Sequence, residues 1–576
     1  MARIELDTQT HEQLRAKLLG DTYTAVSAAR MAAEVEDAAA SDVNITVTVY
    51  DKFYNTAFEC GDYLTMGCTF PRNKVESGQL AIKRSDPAAD LILTCHDTTV
   101  PITIEVGNLL WSGRVKVAHD NFNQKDKPDF VECELEGDYA WLMKILAWPN
   151  FLLPLAVQFP PRGVAIGPAV SILKWLLGTQ AFRLQSGLWD MVNNLASLNL
   201  DWRAWFRTAL LADLGDDGPT PDDLVRALRT PIYVVPTNPL MDTSPFTSIN
   251  WRMDKVGSIF EKVVQDCGLS VEVKLWRPGD AQPGNDPMLA AFPLTTPTIV
   301  VDIKDRMGIV GPTGTFLDGI LRQLVDLQGS MFGEALSPFL NPNGEYKPDG
   351  WNIAPAIGVD FVPPWTIFNG DDPKGGIAGK ISHHTPEAWR VVIGGKSPQW
   401  LNDIINSTMR YLLDLILIVV GITGISSNLF DGLFNDILIA FALADNFDRR
   451  VKMGPFGYPE VFVPTDNAYS LDGIFAMKRE MWNTRGYVSG QCTFRNGLPY
   501  EVGRDIYPNA LATLIRNNQA YTDYVENIVV TDTRETRAEV MVQIGDGKAE
   551  EAPIVRSQRL IARLEQAVNA ITLNYR

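Results

Sequence analysis

The interpretation of this chain starts from "NITVTVYD", residues 44–51. Its residues alternate in character, with one set apolar and the other carrying hydroxyl groups: Ile45, Val47 and Val49 against Thr46, Thr48 and Tyr50. Successive side chains of a β-strand point to opposite faces of the sheet, so this alternation predicts a half-buried strand. A β-rich domain is therefore expected here.

The residues on either side of this strand extend the prediction. About residues 8–38 have apolar positions at helical spacing and predict an N-terminal helix. Five apolar runs follow the strand, separated by turn residues: "QLAIKR", "DLILTC", "PITIEV", "SGRVKVAH" and "DFVECELEG". Many short, regularly spaced strands predict a β-barrel or a sandwich that ends near Gly137.

The composition changes near residue 140. Seventeen uncharged residues separate Lys144 from Arg162, but several prolines interrupt them, so this run does not predict a membrane-spanning helix. Pro168 suits the first turn of a helix that follows it. The tryptophans after residue 140 indicate a mainly helical, tightly packed region, which "DLGDDGPTPDD", residues 213–223, separates from the rest as a linker.

A second β-rich region follows the linker, and its strand signals are "PIYVVP", "SVEVKLW", "TIVVDI" and "AWRVVIGG". One helix, "TFLDGILRQLVDLQ", interrupts it. Farther on, the pattern predicts a strand at "PEVFVP", a helix at "LDGIFAMKREMW", a hairpin over residues 523–547 and an amphipathic helix over residues 557–571.

These signals predict an α+β, multidomain chain. The expected divisions are an N-terminal helix or arm at 1–40, a first β-barrel domain at 41–139, a helical Trp-rich insertion at 140–218, a second β-rich domain at 219–398, an apolar helical hairpin at 399–450 and a C-terminal α+β domain at 451–576.

The most apolar stretch is "LLDLILIVVGITGISSNLFDGLFNDILIAF", residues 412–441. Only sixteen uncharged residues separate Asp414 from Asp431, whereas a membrane span needs about 20. Gly421, Gly424 and the triplet at 426–428 are typical of a turn. The segment therefore predicts two helices, at about residues 399–420 and 429–444. They would pack in a core or a subunit interface, and the alternative is a hairpin that enters a membrane late.

The net charge of −18 argues against general nucleic-acid binding, because affinity for phosphates comes from Lys and Arg. The six cysteines include no CxxC pair, and buried free thiols are expected, with pairing of Cys60 and Cys68 as the alternative. The charged N-terminus lacks the apolar core of a secretory signal, which favours a protein that stays in the cytoplasm or leaves by another route.

Candidate chemical motifs are weak. "GGKS", residues 394–397, lacks the first glycine of a phosphate-binding loop, where Arg390 stands instead. His383 and His384, with Asp371 and Asp372 nearby, could bind a metal but are more typical of a polar loop. The acidic run at 215–217 is typical of a solvated loop. No catalytic, cofactor-binding or metal-binding residue is assigned, and no cofactor is expected.

Three stretches carry a family resemblance: "VVIGGKSPQWLNDIIN" (391–406), "WNTRGYVSGQCTFRNGLPYEVGRDI" (482–506) and "YTDYVENIVVTDTRETRAEVMVQIGDGK" (521–548). With "VYDK" and "WSGRV" in the N-terminal half, they resemble minor tail proteins, of the tail-hub type, from siphophages of actinobacteria. The resemblance covers most of residues 40–560 and is strongest after residue 385.

The resemblance implies a non-enzymatic, structural hub located at the tail tip of the virion after synthesis in the host cytoplasm. Such proteins form a homotrimer in which each chain supplies two tube-type β-barrels, so that a six-fold tube meets a three-fold tip. The implied partners are the distal tail protein, the tape measure protein and other minor tail proteins. DNA would pass through the lumen without sequence-specific binding, and the apolar hairpin could contact the host membrane late.

Two alternatives remain open from the sequence. One is a cell-wall-degrading enzyme at the tail tip. The other is a saccharide receptor-binding protein, since aromatic faces stack on sugars and the chain has fourteen tryptophans.

If residues 412–441 pack inside the assembled protein, the double substitution Leu433→Asp with Ile437→Asp should abolish assembly, because it places two charges on an apolar helix face. Particle assembly and DNA delivery would be measured separately. Particles that assemble normally but fail to deliver DNA would contradict packing and support membrane contact.

Overall fold

The structure, a computed structural model, describes residues 2–3, 45–122, 129–184, 231–326, 341–342, 351–396, 441–545 and part of 559–571. Within these ranges it omits residues 154, 156, 285, 287–288, 291–292, 363, 365, 372–376, 468–470, 497–499, 518, 534–537, 560–561 and 564–565. The chain divides into two compact units. The first contains Met1–Ile381, Gly490–Asp546 and Ser557–Arg576, and the second contains Ser382–Ser489 and Gly547–Arg556.

Strands are the main regular elements that the structure describes in the first unit. In chain order they are β1 Ala2–Arg3, β2 Ile45–Tyr50, β3 Thr56–Glu59, β4 Thr65–Pro71, β5 Ser77–Lys83, β6 Pro101–Val106, β7 Leu109–Asn121, β8 Phe130–Gly137, β9 Leu146–Ala147, β10 Gly163–Pro168, β11 Ile232–Val234, β12 Phe246–Trp251, β13 Asp254–Lys255, β14 Leu269–Trp276, β15 Thr298–Asp305, β16 Ile309–Val310, β17 Asp360–Phe361 and β18 Thr366–Asn369.

The remaining strands are β19 Ala378–His384, β20 Arg390–Lys396, β21 Phe441–Asp445, β22 Glu460–Asn467, β23 Tyr487–Arg495, β24 Leu511–Arg516, β25 Gln519–Thr533 and β26 Glu539–Ile544. The α-helices are α1 Ala88–Leu93, α2 Ala140–Lys144, α3 Ala169–Arg183, α4 Val256–Cys267, α5 Phe316–Asp326, α6 Phe447–Met453 and α7 Leu471–Asn483. Short 3-10 helices span Thr94–His96, Pro239–Met241 and Pro355–Ile357. The described part of the chain is thus α+β and rich in strands, as the sequence predicts.

The main sheet of the first unit joins strands from both ends of the chain. Its strand order is β23-β26-β25-β4-β5-β8-β7-β6-β2-β3, and β24 pairs with the first half of β25. The N-terminal strands meet the C-terminal strands where β25 pairs antiparallel with β4, with Val530 opposite Cys68. The predicted hairpin is confirmed by the antiparallel pairing of β25 with β26. The predicted domain boundaries stay a prediction.

Alternation of side chains explains why the predicted runs form strands. In β8 the residues Val131, Cys133 and Leu135 are buried, whereas Glu132 and Glu134 between them are exposed. The runs predicted at β5, β6, β7 and β8 are confirmed. In β2 the expectation of half-burial is wrong from residue 47 onward, because Thr48 and Tyr50 are buried too. The Tyr50 hydroxyl lies 3.0 Å from Thr103 Oγ1, which satisfies both buried polar groups.

A second core lies under a small sheet with the order β11-β15-β14. Helix α3 begins directly after Pro168, as predicted, and packs into this core together with α4. Its one buried lysine, Lys174, donates hydrogen bonds of 2.7 Å to Asp302 Oδ1 and to Thr237 Oγ1. The apolar side chains and this paired charge together explain why the helix is buried nearly all round.

The strand predicted at "DLILTC" is wrong, because these residues lie in α1 and the 3-10 helix after it. Asp86 Oδ1 accepts a hydrogen bond of 2.9 Å from the Ala88 amide, and Pro87 precedes the first helical residue. These are helix-start features, and Ala88, Ala89 and Ile92 then form the buried face. A short apolar run by itself fits either a strand or a helix, and the helix-start residues before it decide between the two.

Several predicted features lie outside the described residues: the helix at about 8–38, the apolar turn within 412–440 and the tryptophans Trp189, Trp202 and Trp205. The predicted second helix of the hairpin is wrong in its last residues, since Phe441–Asp445 forms strand β21. The reason is tertiary. Residues 441–445 pair antiparallel with β20, and Asp445 accepts two hydrogen bonds from Arg390, a partner that local periodicity does not reveal.

Two glycines offer a matched test of the packing. A Cβ atom on Gly113 in β7 would collide with the carbonyl oxygen of Glu136 and come within 2.7 Å of Trp111 Cη2, whereas one on Gly178 in α3 would contact nothing within 4 Å. We expect Gly113→Ala to lower the free energy of unfolding by about 1–3 kcal/mol. Gly178→Ala should raise it by up to about 1 kcal/mol, because alanine favours the helix. Denaturant unfolding measures both, and equal effects would contradict this packing.

Candidate functional site

The second unit contains a small sheet with one face covered and one face open. Strand β20 lies in the middle, antiparallel to β21 and parallel to β22. On one face Val391 and Ile393 are fully buried and pack against Val461 and Val463 and against methionines of α7. The helix therefore covers this face.

The opposite face carries the residues between those buried positions. Val392 stands opposite Leu443 on one side and opposite Phe462 on the other, which places the three side chains in one row across the sheet. Leu443 and Phe462 are both more than half exposed. The row is thus apolar and accessible.

Helix α6 presents further apolar residues because of how it is anchored. Arg449 Nη1 donates hydrogen bonds to the Ala388 carbonyl and to Thr484 Oγ1, and Nη2 donates to the Met481 carbonyl at 2.7 Å. Burial, with Arg485 nearby, lowers the pKa of this guanidinium. Phe447 and Val451 lie two residues before and after Arg449, on the far side of the helix, and are 69% and 81% exposed.

The loop after α6 adds two aromatic side chains. Gly454 ends the helix with a positive φ of 70°, and the chain turns through "GPFGYP" to β22. Phe456 in this turn is 98% exposed, and Tyr458 is also largely exposed. A phenylalanine that is almost fully exposed contributes no apolar burial to the unit that carries it.

We refer to these exposed residues as the 443–462 surface; they are Leu443, Phe447, Val451, Phe456, Tyr458 and Phe462. Single exposed apolar residues are common on proteins, whereas several large ones within one short segment are typical of an interaction site.

Polar contacts lie next to the 443–462 surface. Arg390 forms a two-bond ion pair with Asp445, at 2.6 and 3.0 Å, which holds the pKa of Asp445 below its usual value.

The candidate chemical motifs are not assembled into a site. Lys396 of the "GGKS" run lies within strand β20, where a phosphate-binding loop would have to leave the strand. In the second unit the His384 ring stacks on Tyr487 with centroids 4.1 Å apart. In the first unit Asp371 accepts a hydrogen bond from the Asn517 amide at 3.0 Å. Asp372 and residues 215–217 lie outside the described residues. Among those described, no three His, Cys, Asp or Glu side chains are placed to hold a metal ion.

The cysteines are free thiols, including Cys60 and Cys68, so the alternative of a bridge between these two is wrong. Burial raises the pKa of each of these two thiols to about 12. In the part of the chain that the structure describes, no helix is both long enough and apolar enough to cross a membrane.

The amino-acid sequence is similar to those of known proteins. The sequence profile of the family described as "Siphovirus ReqiPepy6 Gp37-like protein" matches residues 46–546. The chain belongs to this family. It is also similar to minor tail protein Gp28 of Mycobacterium phage D29, with 23% identity over 70% of this chain and 71% of that protein.

Minor tail protein Gp28 of Mycobacterium phage L5 is 25% identical, over 55% of this chain and 52% of that protein, so the alignment spans about half of the L5 protein. Among solved structures, the 43 kDa tail protein of prophage MuSo2 from Shewanella oneidensis aligns over 89% of this chain and 99% of that chain, at 7% identity and a TM-score of 0.38. A TM-score this low does not establish a common fold. The resemblance to siphophage minor tail proteins, and with it a place in the virion tail, is confirmed by the family and the Gp28 relatives.

The sequence interpretation missed the 443–462 surface. It assigned the apolar character of this region to residues 412–441, as a hairpin packed in a core or a subunit interface, and treated the following residues as the end of a helix and a domain boundary. The run "GPFGYP", an aromatic pair between turn residues, was the available signal, because turns between glycine and proline lie on protein surfaces.

The first unit also holds a partly open cavity of about 130 Å³, whose lining includes Glu76, Trp111, Tyr139 and Lys274. Glu76 Oε2 accepts a hydrogen bond of 3.2 Å from the Tyr139 amide. Burial raises the pKa of this carboxyl to about 8, and the nearby Asp138 adds to the effect. This raised pKa favours the protonated carboxyl of Glu76 in the folded protein.

This raised pKa predicts a pH-dependent stability. The folded state holds the Glu76 proton up to about pH 8, while the unfolded state releases it near the ordinary carboxyl pKa. The contribution of Glu76 is complete below the unfolded pKa and is lost as the pH rises through about 8. We expect Glu76→Gln to gain stability relative to the natural chain between about pH 5 and 8. Unfolding midpoints across this range measure it, with the exposed Glu134→Gln as control. Parallel curves for the natural chain and Glu76→Gln would contradict it.

Proposed function

We propose that this chain is a structural, non-enzymatic hub of the siphovirus tail tip, which closes the distal end of the tail tube. The observation that carries the proposal is the family match over residues 46–546, together with two relatives that are minor tail proteins. In this proposal the chain forms a homotrimer that adapts a six-fold tube to a three-fold tip. Its neighbours are the distal tail protein, the tape measure protein and other minor tail proteins.

The strand arrangement supports a tube-like role. The strands β2–β8 form one antiparallel sheet, and β11, β14 and β15 belong to a second β-rich region with its own core. Two such regions in each chain would supply the two tube-type barrels, and therefore six barrels in a trimer. The closure of each region into a barrel is part of the proposal.

The 443–462 surface supports assembly. The side chains of Phe447, Val451 and Phe456 expose apolar surface to water, which is unfavourable. Burial between copies would remove this free-energy cost. Closed symmetric assemblies bury such surfaces on every subunit at once. Attachment to the host, and late contact of residues 412–441 with its membrane, are further parts of this proposal.

Charge supports the passage of DNA. With a net charge of −18, the chain would present a surface to which DNA phosphates do not adhere. A tube wall rich in lysine and arginine in the assembled ring would contradict this part of the proposal.

The test begins with the purified full-length chain. Mass measurement in solution and negative-stain images should show three-fold rings with a central hole. A species that remains a monomer at micromolar concentration would contradict the hub proposal. Zymography on peptidoglycan separates the enzyme alternative, because a clearing band would overturn the non-enzymatic role.

Substitution locates the interface. We expect Phe447→Ser with Val451→Ser to weaken self-association by about 100-fold or more, since each fully buried apolar side chain contributes roughly 1.5–3 kcal/mol. The matched control is Leu240→Ser with Met241→Ser, two similarly exposed residues of the first unit. Sedimentation across a concentration series measures both. An equal loss in the control would show that the 443–462 surface is not the specific contact.

A further inference from the structure

A polar cleft of about 340 Å³ lies on the first unit, away from the 130 Å³ cavity. It is built where strand β12, helix α4 and the C-terminal residues meet the segment before β10. The side chains that matter for its chemistry are Arg162, Ser248, Lys262 and Arg563, all of which line it.

The charge of this cleft is opposite to that of the chain. Three of its lining residues are cations, in a protein whose net charge is −18. The carboxylate that also lines it, Asp254, already accepts a hydrogen bond of 2.9 Å from the Arg252 amide. Lys262 is exposed, and no ion pair involves it among the described residues. Cations thus outnumber carboxylates among the described residues that line the cleft.

A buried anchor fixes one of these cations. Asp266 is 2% exposed and forms ion pairs with both Arg559 and Arg563, so two guanidinium groups share one carboxylate. Arg563 Nη2 also donates a hydrogen bond of 2.7 Å to the Lys262 carbonyl. These contacts hold the Arg563 side chain in place.

Two donors of the cleft lack acceptors. Arg563 Nη1 is buried and has no hydrogen-bond partner in the part of the chain that the structure describes. The same holds for Ser248 Oγ, whose residue is only 1% exposed. Buried donors are normally hydrogen-bonded, so this pair indicates a missing acceptor.

We propose that this cleft binds a phosphate group, either as the free ion or carried by a small molecule. Arg563 and Ser248 would donate hydrogen bonds to its oxygens, while Lys262 would compensate its charge from the rim. A guanidinium group held by a buried carboxylate is pre-organised for this contact, which lowers the entropy lost on binding. The proposal does not depend on the assembly state of the protein.

The test uses the full-length chain and two probes, inorganic phosphate and glycerol 3-phosphate, with binding followed by calorimetry at low ionic strength. We expect Lys262→Gln and Ser248→Ala each to weaken binding about ten-fold. Lys255→Gln is the matched control, because Lys255 is an exposed lysine of the same region that does not line the cleft. Arg563 is left intact in this test, since its removal would disturb the buried Asp266.

The two probes distinguish the source of the phosphate. Equal affinities indicate the free ion, whereas tighter binding of glycerol 3-phosphate indicates a carried group that uses the rest of the cleft. Absence of binding by both probes at millimolar concentration overturns the proposal. So does binding that Lys262→Gln and Ser248→Ala leave as strong as in the natural chain and in Lys255→Gln.

Discussion

The pairing of β25 with β4 is the constraint on which the first unit depends. It joins strands more than 450 residues apart in sequence, with Asn527 opposite Pro71 and Thr533 opposite Thr65. Polar contacts surround the seam. Arg72 Nη1 donates to Glu526 Oε1 at 2.6 Å, and the Arg72 guanidinium lies 4.0 Å from the centre of the Tyr524 ring. Both partners are partly buried, where such contacts are stronger than on an exposed surface.

This seam explains the layout of the chain. Since both ends of the chain contribute to one sheet, the residues between them must leave and return, and Ser382–Ser489 does so as a unit with its own small core. Bringing distant strands together costs loop-closure entropy, which the cores of the first unit must offset. The second unit is then free to carry residues that the main sheet does not need, among them the 443–462 surface.

The charged side chains of the first unit also form contacts inside the fold. Some buried charges of the first unit are paired, as in Lys174 with Asp302 and Arg322 with Asp305, because an unpaired charge in a core is costly. At Asp266 two arginines share one carboxylate. In the part of the chain that the structure describes, the cationic cleft and the 443–462 surface are two chemically distinct places at which the protein could meet other molecules.

The sequence by itself determined many of the strands and the family. Alternation in β5, β6 and β8, and the proline before α3, are local signals, because neighbouring residues alone reveal them. Motif stretches after residue 385 were sufficient to indicate siphophage minor tail proteins, a resemblance that the family match supports.

Tertiary structure decided the rest. The helix start at Asp86 outweighed the apolar run after it, and the pairing of residues 441–445 with β20 outweighed helical spacing. No local pattern states that β25 lies beside β4, that Glu76 lies beside Tyr139, or that Arg563 reaches Asp266 from 297 residues away. These contacts depend on which surfaces the folded chain brings together, and a shifted pKa or a cationic cleft exists only after that has happened.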